Sequence, residues 1–70
     1  MMEIIPVVSS NVTVIGYDEE KKVMVATFVS GVTYSYQDVS REEYLSIIED
    51  VSVGSKLRKV TKDKNYHKVS

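Results

Sequence analysis

A chain of 70 residues without a cysteine has to hold itself together by burying apolar side chains. A domain of this size buries only about 60% of the surface its unfolded form exposes, so a marginal stability is expected. The missing cysteines exclude a disulfide framework and a Cys-ligated zinc. The single histidine, His67, leaves no His-pair metal site, so no metal or other cofactor is expected. The lack of thiols also suits a reducing compartment, and a cytoplasmic setting is expected. No apolar run approaches the ~20 residues of a membrane span, and the basic opening of a signal peptide is missing. With 43% apolar and 27% charged residues the composition is that of a globular domain rather than a disordered chain. The expectation is one α+β domain over residues 1–70. It is a small antiparallel meander of three or four strands, covered by one main helix and a short basic second helix.

Strand signals fill the first half of the chain. Ile4-Ile5-Pro6-Val7-Val8 is a short apolar run whose proline cannot donate to a sheet ladder, which suits an edge or the start of a bend. Ser9-Ser10-Asn11 interrupts it. Such a trio caps a turn through side chain-to-backbone bonds, or else holds an anion on its backbone donors. Val12 to Tyr17 is β-branched and roughly alternating, and Asp18-Glu19-Glu20-Lys21 supplies a charged turn. Val23 to Val29 sets Val23, Val25, Thr27 and Val29 on one face and Met24, Ala26 and Phe28 on the other. Ser30-Gly31 marks a hairpin turn, because glycine supplies the positive φ that tight turns require. Val32 to Tyr36 then returns with Val32, Tyr34 and Tyr36 on one side. A two-residue Ser30-Gly31 loop pairs Val29 with Val32 and puts both tyrosines on the Val23/Val25 face. A three-residue loop that includes Val32 shifts the pairing and puts them with Met24, Ala26 and Phe28. The sequence leaves both registers open.

Ser40 followed by Glu43 forms a capping box, with Val39 and Tyr44 placed as a hydrophobic staple. Tyr44, Leu45, Ile48 and Val51 give the helix after it an apolar stripe, and Glu42 and Glu43 suit its positive N-terminal end. A second helix is expected from about Val53 to Thr61, with Val53, Leu57 and Val60 on one face. Gly54 either ends the first helix or opens the second, and Tyr66 is placed to pin the tail back on the body.

Charge is divided unevenly along the chain. Residues 1–54 carry a net −6 and residues 55–70 a net +5. Lys56, Arg58, Lys59 and Lys62 make the second helix basic, either as a phosphate-binding face or as an ordinary solvated one. Neutralising four phosphates would give a log–log salt slope of roughly −3 for single strands. Tyr34 and Tyr36, two apart on a strand, either stack bases, at about 1–3 kcal/mol each, or fill the core under the helix. An enzyme is not expected. There is no cysteine nucleophile or nucleophile elbow, the glycines are scattered, and the carboxylates of Glu42, Glu43, Glu49 and Asp50 suit capping and an exposed face.

Taken in order, several fragments resemble the KTSC domain. They are Ile5-Pro6-Val7 with Ser9-Ser10-Asn11, Ile15-Gly16-Tyr17-Asp18, Val25 and Phe28 followed by Gly31, Tyr34-Ser35-Tyr36 with Val39, and Ser52-Val53-Gly54. The similarity covers roughly residues 3–69. That family is a module of about this size, named for its occurrence at the C-terminus of some lysyl-tRNA synthetases and also free-standing in bacteria and their phages. The resemblance implies RNA binding, proposed for the family by association with the synthetase. One departure follows Ser52-Val53-Gly54, where the family pattern has aromatic residues and this chain has Lys56 and Leu57. The expected function is a non-catalytic binding module for RNA or another phosphate-bearing ligand, contacted through the basic C-terminal helix. The alternative is a protein-interaction or small-molecule-sequestering module of phage or bacterial type. No membrane partner is expected, and the chain is expected to be a monomer or a weak homodimer through an unpaired sheet edge.

Overall fold

The computed structural model describes residues 2–69. The elements run β1 (Met2–Pro6), β2 (Val12–Asp18), β3 (Val23–Phe28), β4 (Thr33–Tyr36), α1 (Arg41–Ile48), α2 (Val53–Thr61) and β5 (Tyr66–Lys68). The strands form one antiparallel sheet in the order β1-β2-β3-β4-β5. The α+β class and the meander are as expected, but the sheet has five strands rather than three or four. The second helix, at nine residues against eight for α1, is also no shorter than the first. The added strand is β5, three exposed residues too few to carry an alternating pattern. It exists because the two helices return the chain to the free edge of β4, where Tyr66 pairs with Tyr36 and Lys68 with Tyr34. Among the described residues no helix is long and apolar enough to cross a membrane.

Register follows from the β3–β4 turn. Ala26 lies opposite Tyr34 and Met24 opposite Tyr36, with Phe28 N–H donating to the Val32 carbonyl at 2.8 Å. The loop is therefore Val29-Ser30-Gly31, neither of the two loops the sequence offered. Gly31 N–H closes it on the Phe28 carbonyl at 2.9 Å, and Gly31 takes φ +94°, the left-handed position that ends such a three-residue loop. Because Val32 stays in the ladder, both tyrosines share the Met24/Ala26/Phe28 face, and that face is the core. On β2 a bulge between Val12 and Val14 inserts a residue, so Val12 and Ile15 both point inward although they are three apart.

Both helices cover this one face. Val12, Ile15, Tyr17, Met24, Ala26 and Tyr36 of the sheet meet Val39, Tyr44, Ile47, Val53 and Leu57. The capping box forms as expected: Glu43 N–H donates to Ser40 Oγ at 3.1 Å, and Ser40 N–H donates to Glu43 Oε1 at 2.9 Å. The apolar stripe of α1 differs from the expected one. Ile47 is fully buried, whereas Val51 lies beyond the helix end at 102% exposure. Tyr17 stacks on Tyr44 with centroids 4.6 Å apart and planes 10° from parallel, which sets α1 over β2.

Candidate functional site

α2 sits over the other side of the same face. Val53, Leu57 and Thr61 turn into the core. Ser55, Arg58, Lys59 and Lys62, spaced as neighbours along one helical face, line an open groove of about 780 Å³. Opposite them the floor is made by Tyr34 and Tyr36 of β4 and Tyr66 of β5. The three rings form a near-equilateral cluster. Tyr34 and Tyr36 are 6.4 Å apart, Tyr34 and Tyr66 5.7 Å, and Tyr36 and Tyr66 6.0 Å. Phe28 meets Tyr34 edge-on at 5.9 Å and supports the cluster from within the sheet.

Tyr34 and Tyr36 belong to the packed face of the sheet and also form part of the groove floor. Tyr36 is a core residue at 7% exposure and Tyr34 is half-buried, yet both line the groove. Burial raises the Tyr36 phenol above its ordinary range, with Tyr34 and Tyr66 adding to the shift, so it is neutral at physiological pH. Of the four cations singled out in the sequence, Arg58, Lys59 and Lys62 reach the groove. Lys56 is half-buried and outside its lining. Among the described residues no ion pair occupies Arg58, Lys59 or Lys62, since the ion pairs join Arg41 to Glu19 and Lys64 to Glu43. Among the described residues no carboxylate or imidazole lines the groove, and Ser55 and Thr61 supply its small polar side chains. Cations in a recess walled by apolar rings attract an anion more strongly than the same charges on an open face.

Tyr66 is the groove residue that the candidate set lacked. The expectation that Tyr66 pins the tail back on the body is met by its contacts with Tyr34 and Tyr36, but its part in the groove depends on β5 pairing with β4. The pairing is extended by Gln37 N–H donating to the Asn65 carbonyl (2.9 Å) and Val69 N–H to the Thr33 carbonyl (2.7 Å). Lys64 fastens the approach to β5 by donating from Nζ to the Asp38 carbonyl at 2.7 Å and to Glu43 Oε1 at 3.0 Å.

The Ser9-Ser10-Asn11 trio closes its own turn, with Ser9 Oγ accepting from Asn11 N–H (3.2 Å) and Val12 N–H (3.4 Å). Gly54 opens α2, and a Cβ there would meet Asn11 Nδ2 at 3.3 Å and Ser9 Oγ at 3.4 Å. The carboxylates also serve the backbone. Glu43 completes the cap, and Asp50 Oδ1 accepts from Ser52 N–H at 2.8 Å. His67 stands exposed on β5.

Comparison with known proteins bears on the fold as a whole. The crystal structure of a KTSC domain protein from Yersinia pestis superposes on this chain with a TM-score of 0.93 at 28% sequence identity, covering 100% of both chains. Among curated proteins none matches. The model of the KTSC domain matches residues 8–66, which takes in β2 to α2 and the first residue of β5. The chain therefore belongs to the KTSC domain family.

Proposed function

We propose that this chain is a non-catalytic, cytoplasmic binding module that holds RNA or another phosphate-bearing ligand in the groove between α2 and the β4–β5 edge. The observation that carries this is the joining, in one recess of about 780 Å³, of three tyrosine rings and three cations that have no ion pair among the described residues. The charge division supports it. Residues 1–54 carry a net −6, so a polyanion is repelled by most of the molecule and drawn to one face. Among the described residues the lining holds no carboxylate or imidazole to act as a general base beside Ser55 and Thr61, which supports a binding rather than a catalytic role.

A salt titration tests the proposal. With three cations engaged, log affinity for single-stranded RNA falls with log salt at a slope of about −2. Neutralising Arg58, Lys59 and Lys62 together flattens the slope. No binding at micromolar protein in about 50 mM salt, where electrostatic affinity is high, would overturn it. A small-molecule-sequestering module is a second reading, favoured by the recessed aromatic floor and by a volume within the usual ~300–1,000 Å³ of ligand pockets. It predicts binding insensitive to salt.

A further inference from the structure

The three rings of the groove are not equivalent. Tyr36 is 7% exposed and Tyr34 half-buried, so neither has a full face to offer. Tyr66 is 63% exposed and lines the same groove. It is also held in place. Tyr34 meets it edge-on at 5.7 Å with planes 77° apart, and Tyr36 braces it at 6.0 Å and 38°. Its backbone pairs with Tyr36 in the β4–β5 ladder. A ring oriented before binding loses little freedom on contact, which leaves more of the stacking energy as affinity.

Resting on the phosphate-binding reading above, we infer that the groove takes one unpaired nucleotide of a single-stranded RNA. Its base stacks on the exposed face of Tyr66, and its flanking phosphates lie along Arg58, Lys59 and Lys62. The requirement for an unpaired base follows from the geometry. Stacking needs a free base face, and a base within a duplex has both faces covered by its neighbours and cannot lie on the Tyr66 ring that lines the groove. Recognition is tolerant of sequence, because every base has a π-face and the lining offers only the small hydroxyls of Ser55 and Thr61 beside the phenols.

Three probes and two variants separate this inference from the reading beneath it. The probes are a short oligoadenylate, an RNA duplex of equal length, and inorganic polyphosphate, which carries charge without bases. Wild-type protein binds oligoadenylate more tightly than the duplex. Tyr66→Leu, which keeps apolar bulk at the β5 edge, weakens oligoadenylate about tenfold or more and polyphosphate far less. Neutralising Arg58 and Lys62 weakens both. On the wild type, NMR reports an upfield shift of the Tyr66 ring protons with oligoadenylate and none with polyphosphate, a readout that does not depend on a variant folding. Equal oligoadenylate affinity in Tyr66→Leu, an unmoved Tyr66 ring, or duplex bound as tightly as single strand would each overturn the stacked-nucleotide inference while polyphosphate binding keeps the phosphate reading. Loss of binding to every probe removes both.

Discussion

Replacing Tyr17 by phenylalanine tests how the core is tied together. Tyr17 is 3% exposed, its ring stacks on Tyr44 at 4.6 Å, and its hydroxyl donates to the Val39 carbonyl at 2.6 Å. Phenylalanine keeps the ring, the stack and the apolar area. It deletes one hydrogen bond and leaves the Val39 carbonyl, just before the α1 cap, without that donor. Removing one partner of a buried pair costs about 1–3 kcal/mol. At about 0.05–0.15 kcal/mol per residue, a chain of 70 residues has only ~3.5–10 kcal/mol in total. A shift of about 4–8 °C per kcal/mol then places the fall in melting temperature between about 4 and 24 °C. Thermal denaturation followed by circular dichroism measures it, with Tyr36→Phe as the control. The Tyr36 hydroxyl has no hydrogen-bond partner among the described residues, so that variant stays within about 0.5 kcal/mol of wild type. Equal losses in the two variants, or no loss in Tyr17→Phe, would refute the assignment of that energy to the Tyr17–Val39 bond. The same variant reads out at alkaline pH. Burial, then the nearby Glu19 carboxylate, raises the Tyr17 phenol above its ordinary 10.0. The native state thus keeps a proton that the unfolded chain has released. The stability linked to it is complete below pH 10 and is lost as pH rises through the folded value. Tyr36 and Tyr44 are raised too, chiefly by burial, so wild type weakens above about pH 10 and Tyr17→Phe weakens less steeply.

Two further outcomes are expected. Glu43 is held below its ordinary 4.5 first by the Ser40 backbone donor and then by Lys64, so the stability it supplies is present above that value and lost as pH falls through the folded one. Glu43→Gln therefore costs within about 1 kcal/mol near neutrality and flattens the acid limb of urea-denaturation stability against pH, and an unchanged limb counts against it. Ile47→Ala opens a cavity in a fully buried site and costs about 2–5 kcal/mol in urea denaturation. Val51→Ala, at a fully exposed position, stays within about 0.5 kcal/mol, and a reversal of that order would place the stripe of α1 on the wrong residues.

The elements that could be read from sequence are those whose signals are local. Ser40 and Glu43 form a cap within four residues, and α2 runs over Val53–Thr61 because its apolar period and its basic face agree. The hairpin register was not legible. Val29 continues the alternation of β3 as well as any strand residue, and only the Phe28 N–H bond to the Val32 carbonyl and the Gly31 N–H bond to the Phe28 carbonyl put it in the loop. The bulge at Thr13 was hidden in the same way, since Val12 to Ile15 alternates only roughly and a bulge moves a side chain across the sheet without changing composition. In α1, Leu45, Ile47 and Ile48 are all apolar and leave the centre of the stripe ambiguous. Val51 fits the spacing but falls past the helix end, where the Asp50 carboxylate has already turned to cap Ser52 N–H. In the groove the cations were legible as a helical face. Tyr66 was legible as a pin for the tail and not as a groove residue, because a strand of three exposed residues exists only through its neighbour.

The groove is therefore a product of chain closure rather than of any one segment. Its floor begins on β4, in the acidic part of the chain, and is completed by Tyr66, which arrives with the basic part after both helices have been laid down. Lys64 bridges the two parts. Its ammonium is tied to the Glu43 carboxylate at the cap of α1, and Arg58, Lys59 and Lys62 line the recess without an ion pair among the described residues. The departure from the family pattern in α2 falls outside this arrangement. Leu57 is buried in the core and Lys56 does not line the groove, so both positions lie outside the set of groove-lining side chains. A ligand that engages both walls must therefore also hold β5 against β4. That strand has no buried side chain of its own and is held by its ladder with β4 and by the ring contacts of Tyr66, so a ligand bound across the groove adds to the stability of this edge.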